Sequence, residues 1–412
     1  MVKNKGITAC WFLIKTLHTL YNDNMRLFKR TIIVSLMALF FIMMGGLNAQ
    51  AIKLEDLKPL TEVEPIPLKE FENLTKTVKE MPYDDNFLEY QIDLPKDFKP
   101  STSKLNVYQS AENVSQRVLG VVSRHAGPPI GYVRSSFVLE ALELTYEISA
   151  RNWFINYIIS NGLSLEQVGQ GTDNSIEAIY IEVEDDVTYI VRIKAVKNGP
   201  RMVMARYYLP QELYKQDRVL QAQVIDSFEL MNTETTTVEN RKLYGFLDQS
   251  YIKYLASWEL DAPYIRSIDR MHARVFRNVK GDRLDGQIDV YLSKKDGKKT
   301  RSEEIKTYRE KLIFKGYDLN GFIEKANFKY HRDMRFGITE VYSLKSQNQQ
   351  FLDYEVWFTF LENKDYYYFV VMYTPERKVS FAPWARNIEA YKVLLKNLSR
   401  NTEEKNFMKI TQ

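Results

Sequence analysis

The chain has 412 residues, 45% of them hydrophobic and 27% charged, with a single cysteine and a formal net charge of +4. That is a globular composition, and it excludes a disordered, collagenous or disulfide-stapled chain. The length suits two or three domains of about 100–200 residues each.

The first element predicted is a targeting segment over residues 1–51. Met25-Arg26-Leu27-Phe28-Lys29-Arg30 is a short cationic start, Thr31–Leu47 is an uncharged apolar run, and Ala49-Gln50-Ala51 has the A-x-A form of a signal-peptidase site. The run is slightly under the roughly 20 residues needed to span a bilayer, so a cleaved secretory signal is expected. The alternative is an inner-membrane anchor formed by residues 31–47. Met25 is the expected true start. Ile7-Thr8-Ala9-Cys10 has the letters of a lipoprotein box, but no apolar segment leads into it. Past the leader the chain has no cysteine, which removes thiolate nucleophiles and Cys-ligated metal sites and suits an oxidising bacterial envelope.

Charge is unevenly placed. Six of the 57 basic residues (Lys3, Lys5, Lys15, Arg26, Lys29, Arg30) and one of the 53 acidic ones (Asp23) lie in the leader, leaving 51 against 52. A near-neutral remainder gives no support to a nucleic-acid partner.

Residues 52–84 read as an extended acidic arm punctuated by Pro59, Pro65 and Pro67, with one amphipathic turn set at Leu68, Phe71, Leu74 and Val78. A first domain is expected over 85–231 and a second over 242–400, joined by a polar linker at 232–241 and followed by a tail at 401–412. The two domains share one plan. Each opens with an extended segment ending in proline, Leu88–Pro95 in one and Leu255–Pro263 in the other. A helix follows. Thr300-Arg301-Ser302-Glu303 is a capping box, Ile305, Tyr308, Leu312 and Ile313 recur at helical spacing, and Gly316 stops the helix. Phe154, Ile158, Ile159 and Gly162 stand 154 positions earlier than Tyr308, Leu312, Ile313 and Gly316, and Leu165 and Leu319 keep the register.

Strands with strict alternation come next. Val187, Tyr189, Val191, Ile193 and Ala195 lead to a turn at Asn198-Gly199, and Val203, Ala205, Tyr207 and Leu209 return to Pro210. At an offset of 165, Leu352, Tyr354, Val356, Phe358 and Phe360 lead to a turn at Asn363, and Tyr368, Val370, Met372 and Thr374 run to Pro375. Amphipathic helices close both copies, through Leu213, Leu220, Val224 and Phe228, and through Trp384, Ile388, Tyr391, Leu395 and Leu398.

The predicted class is α+β: two tandem domains, each an antiparallel β-sheet with helices packed on it, sandwich-like in α/β/α order. The strand ending in Leu94-Pro95, the hairpin at Asn198-Gly199 and the run Val224-Ile225-Asp226-Ser227-Phe228 resemble the PsbP-like superfamily, named for the extrinsic subunit of the photosynthetic oxygen-evolving complex. The resemblance implies a binding or assembly role without catalysis, and no site residue carries over from it.

Catalytic motifs fail on inspection. His125, His272 and His331 follow the leader without metal-ligand spacing, although Asp269 and His272 would share a helix face and Tyr330-His331-Arg332-Asp333 mixes titratable groups. Gly281–Ile288 has the glycines of a phosphate loop, but Gln287 stands where lysine is needed, and Gly169-Gln170-Gly171 is followed by a strand. No cofactor or metal is expected. Lys294-Lys295-Asp296-Gly297-Lys298-Lys299 reads as a solvated turn.

One difference between the copies suggests a binding face. At outward-parity positions the second copy has Trp357, Thr359, Leu361, Tyr367, Phe369, Val371 and Tyr373, whereas the first has Arg192, Lys194, Val196, Met202, Met204, Arg206 and Tyr208. Of these, Arg192, Lys194, Met202, Met204, Arg206 and Tyr208 are the expected partner-binding face, for an acidic segment of another envelope protein; a solvated sheet face is the alternative. The function expected is therefore an exported, non-catalytic binding or assembly protein, for which a secretion or conjugative-transfer apparatus is one setting. The rival is a periplasmic hydrolase or small-molecule-binding protein with its site between the two domains.

Overall fold

The first half builds its main sheet from β1 (Lys58–Pro59), β4 (Lys99–Pro100), β5 (Arg117–Ala126), β6 (Ser136–Glu143), β7 (Ser164–Val168), β8 (Ser175–Glu184), β9 (Val187–Asn198) and β10 (Arg201–Pro210). A small sheet of β2 (Thr75–Glu80), β3 (Tyr90–Pro95) and β11 (Glu229–Leu230) stands beside it. Its helices are α1 (Leu68–Leu74), α2 (Ala150–Ser160) and α3 (Gln211–Asp226). These assignments come from a computed structural model that describes residues 57–101, 117–247, 249–261, 265–267, 269–278, 284–314, 321–344 and 353–399. The leader with Ala49, Gln50 and Ala51, the tail at 401–412, and Pro263, Gly281, Gly316, Leu319 and Leu352 lie outside the described residues.

The second half repeats the plan. Its small sheet is β12 (Arg241–Phe246) with β13 (Ser250–Leu255). The main sheet holds β14 (Glu259–Asp261), β16 (Arg270–Asn278), β17 (Leu284–Lys294), β18 (Phe322–Ala326), β19 (Phe336–Leu344), β20 (Tyr354–Glu362) and β21 (Tyr366–Pro375), with β15 (Ile265–Ser267) paired to β16. Helices α4 (Arg301–Phe314) and α5 (Phe381–Lys396) complete it. No described helix is long and apolar enough to cross a membrane.

Strand order makes the repeat explicit. The first sheet runs β1-β7-β8-β9-β10-β6-β5-β4 and the second β18-β19-β20-β21-β17-β16-β14, so apart from β1 each strand has a counterpart in the same place. Sequence alternation located β9, β10, β20 and β21, but the hairpins β5–β6 and β16–β17, which complete each sheet beside β10 and β21, were not anticipated. The first of them shifts register between Val118 and Gly120 and again between Val121 and Ser123, which destroys the period-2 signal.

Helix ends follow local chemistry. Ser149 accepts from the Asn152 amide to start α2, and Gly162, at φ +63, adopts the left-handed conformation after its last turn. At α4 the Thr300 amide donates to Glu303 at 2.7 Å and the Glu303 amide to the Thr300 hydroxyl at 3.4 Å, the reciprocal pair of a capping box.

Both sheets are covered on both faces, giving the expected α/β/α order. In the first half α3 and the small sheet enclose Phe137, Leu139, Ala141, Val203, Ala205, Tyr207 and Leu209 against Tyr90, Ile92, Leu94 and Phe228. The opposite face lies under α2, whose Trp153 and Phe154 are fully buried. In the second half α4 covers Val356, Phe358, Phe360, Phe369 and Val371, with Tyr308 stacked on Phe369, and α5 covers the other face through Trp384, Tyr391 and Leu395.

Three expectations are corrected. The arm at 52–84 does not stand apart from the first domain but packs into it from residue 57 onward: β1 pairs with β7, β2 pairs with β3, and Phe71 joins the core. The linker is also packed, because Glu234 pairs with Arg201, the Val238 amide donates to Glu147 at 2.9 Å, and the Glu147 amide donates to Glu239 at 3.0 Å. Finally, the counterpart of β3 is β13 and not Leu255–Pro263. Gln91 in β3 pairs with Glu229 just past α3, and Tyr251 in β13 bridges Ser399 just past α5. Buried Phe98 and Trp258 then follow at the same turn, each amide bonded at 3.0 Å to a carbonyl three residues back.

Candidate binding surface

The six residues expected to form one open face are divided between two covered ones. β9 and β10 are joined by a two-residue turn, Gly199-Pro200, with Gly199 at φ +59, and Asn198 opposite Arg201. Partners across this ladder therefore have opposite parity, and Tyr207 faces with Arg192 while Arg206 faces with Ile193. Arg192 and Lys194 lie under α3: Arg192 pairs with Glu177, and Lys194 donates to the carbonyls of Asp226 (3.3 Å) and Phe228 (2.8 Å), closing the C-terminal end of that helix. Met202, Met204, Arg206 and Tyr208 are buried under α2. Arg206 pairs there with Glu140 and approaches the Tyr157 hydroxyl at 3.4 Å. Burial holds the Tyr208 hydroxyl above its ordinary pKa. The two arginines are thus internal, neutralised by carboxylates from other strands that sequence could not pair with them.

The histidines are equally engaged. His125 is buried with Nε2 3.7 Å from Glu80, and burial lowers its pKa. His331 in the β18–β19 loop accepts from the Asp333 amide at 3.2 Å. His272 lies on strand β16, not on a helix with Asp269, and its ring stacks on Tyr291 at 4.3 Å. Its carboxylate partner is Asp289 at 3.0 Å, which also accepts from Arg274 at 2.8 Å and Gln287 at 2.7 Å. Burial works to raise the Asp289 pKa, and these donors outweigh it, so the carboxyl sits below its ordinary value of 3.8. A depressed carboxylate contributes stability above the unfolded value and loses it as pH falls through the folded one. Asp289→Asn is expected to flatten the loss of stability below about pH 4, read from guanidinium midpoints between pH 5 and 2; an unchanged slope would overturn this assignment.

Among the described residues the candidate that remains is a sheet edge, since the opposite ends of the two main sheets are the short strands β4 and β14. In the first sheet the edge strand β7 is covered by β1, which runs parallel to it with Lys58 opposite Gln167 and Pro59 opposite Val168. Proline lacks an N–H and the strand is only two residues long, so this edge is blunted. The counterpart β18 ends the second sheet, and no strand among the described residues pairs with its outer side. It carries exposed apolar side chains of its own, Phe322 (52%) and Ile323 (40%). Arg377 donates to Glu324 at 2.7 Å and anchors this strand to the buried Glu355. The signal in sequence was the pair of apolar residues Phe322-Ile323 after α4, which gains meaning only once strand order shows which strand lies outermost.

Comparison with known proteins adds little. No family model matches the chain, and no curated protein matches it. Among solved structures it is similar to the Saccharomyces cerevisiae Ran-binding protein Mog1p, at 12% identity and a TM-score of 0.26, over 40% of this chain and 98% of that one. A second similarity is to the immunity protein TplEi of the T6SS from Pseudomonas aeruginosa, at 8% identity and a TM-score of 0.20, over 75% of this chain and 94% of that one. The likeness is one of fold alone, and it is weak.

Proposed function

We propose that the chain is an exported, non-catalytic binding or assembly protein of the bacterial cell envelope, acting as an accessory component of a larger apparatus. The observation that carries this reading is the outer edge of β18 with its exposed apolar side chains, since an uncovered strand edge is a template for pairing with another chain. The PsbP-like resemblance of the two halves and the leader's signal-peptide pattern support it. The alternative of a hydrolase or small-molecule site between the halves draws less support. The side chains that meet there include Lys392 with Asp173 at 3.0 Å and the Arg386 guanidinium 4.2 Å over the Tyr146 ring, contacts that hold the halves together.

The test is capture from the native envelope by the tagged full chain, compared with a Phe322→Glu/Ile323→Glu variant. Both side chains are exposed, so the fold should persist, and recovery of the captured protein should fall by at least about tenfold. Equal recovery by the variant would overturn the reading.

A further inference from the structure

The two edge strands match pair by pair. Leu165 lies opposite Tyr180 and Phe322 opposite Tyr342; each strand then shifts register by one residue; Gln167 opposite Ile179 matches Glu324 opposite Val341, and Val168 opposite Ala178 matches Lys325 opposite Glu340. A β-bulge re-aims the backbone that follows it, so a shared bulge means that β7 and β18 present equivalent peptide groups outward. On β7 the Val168 carbonyl points outward and accepts from the Leu60 amide at 3.2 Å, while the Gln167 side chain accepts from the Thr61 amide at 2.9 Å. Lys325 holds the place of Val168. The segment seated on β7 therefore serves as a template for what β18 would take.

Charge narrows the chemistry further. Lys325 on β18 and Lys329 just after it are exposed, whereas Glu324 is bound to Arg377. The template belongs to a stretch, Lys53–Glu64, with Glu55, Asp56, Glu62 and Glu64 against Lys53 and Lys58, and with Leu54, Leu57, Leu60 and Val63 as its apolar residues. A second copy of this chain is a poor donor of the strand, because its own segment is already paired and Pro59 leaves a gap in any ladder extended from it.

We propose that β18 takes an extended acidic and apolar segment of another envelope protein as an added parallel strand, in the register that Leu57–Thr61 takes on β7. Backbone hydrogen bonds to Lys325 supply the ladder, and Phe322 with Ile323 supplies the apolar contact. This rests on the binding role proposed above and specifies how that role is carried out.

The probe is a labelled synthetic peptide of the chain's own Lys53–Glu64 sequence, titrated into the full chain and followed by fluorescence anisotropy. Saturable binding is expected, weakened at least about tenfold by Lys325→Pro, which removes the outward amide, and unchanged by Val168→Pro on the covered edge. Phe322→Glu provides a second variant should Lys325→Pro lower the melting temperature. Absence of binding, equal binding of a scrambled peptide, or binding indifferent to both β18 variants would overturn the proposal. Self-association of the chain that Lys325→Pro abolishes would assign the edge to a second copy and overturn it as well. If envelope capture depends on Phe322 and Ile323 while the peptide fails to bind, strand addition falls and the binding role stands; if capture is also indifferent, both fall.

Discussion

Replacing Arg206 with methionine is expected to cost the fold about 3–5 kcal/mol, because it leaves Glu140 as an uncompensated charge in a dry interior. Arg206 is 2% exposed and Glu140 4%, both beneath α2, so neither can reach water when its partner is removed. The repeat suggests the remedy. At the positions equivalent to Arg206 and Glu140 the second half carries Val371 and Tyr291, buried or half-buried under α4. A buried ion pair replaced as a unit by apolar residues is often neutral or stabilising, so Arg206→Met/Glu140→Leu should recover most of what the single change loses. Guanidinium unfolding of wild type, both single variants and the double variant measures the coupling. A single-variant loss under about 1 kcal/mol would show that water reaches the pair.

Glu355→Leu is expected to be comparably severe, at about 3–5 kcal/mol. The carboxylate is 1% exposed and accepts from the indole N–H groups of Trp357 (3.0 Å) and Trp384 (2.9 Å) and from Arg377 Nε (2.7 Å). Burial works to lower the Arg377 pKa, and its bonds to Glu355 and Glu324 more than offset this, so the guanidinium stays charged. Leucine would leave the two buried indole donors unpaired and Arg377 with Glu324 as its remaining carboxylate. Arg377 also reaches Glu324 on β18, so the same change should raise hydrogen exchange at β18 beyond that at β17, on the far side of the sheet. Loss of stability without selective exchange at β18 would place the role of Glu355 in the core alone.

Much of the fold was legible because its signals are local. The alternation in β9, β10, β20 and β21, the turn that falls at Gly199-Pro200, one residue past the expected Asn198-Gly199, the capping box at Thr300 and the amphipathic α3 and α5 each depend on neighbours within a few residues. Faces were harder. Whether Arg192 and Arg206 share a face depends on whether the joining turn has an even or odd number of residues, and two residues at Gly199-Pro200 set them on opposite sides. Their burial is illegible for a different reason: Glu177 and Glu140, which neutralise them, arrive from strands 15 and 66 residues away in sequence. The opening strand of the second half lies elsewhere than expected because equivalence between the copies rests on the pairings Gln91–Glu229 and Tyr251–Ser399 and not on a shared proline. The open edge at β18 was invisible, since no residue type marks a strand as outermost.

The packed linker has a mechanical consequence. Asn198 donates to the Asn232 carbonyl at 3.0 Å and accepts from the Glu234 amide at 2.7 Å, Glu147 grips the chain at Val238 and Glu239, and the Asn240 carbonyl accepts from Ala256 at 2.9 Å as the second half begins. Residues 232–240 thus offer no hinge. A pull on any part of the second half is delivered as strain to the Asn198 turn and to Glu147 of the first, and the two copies answer a load as one beam rather than as beads on a string.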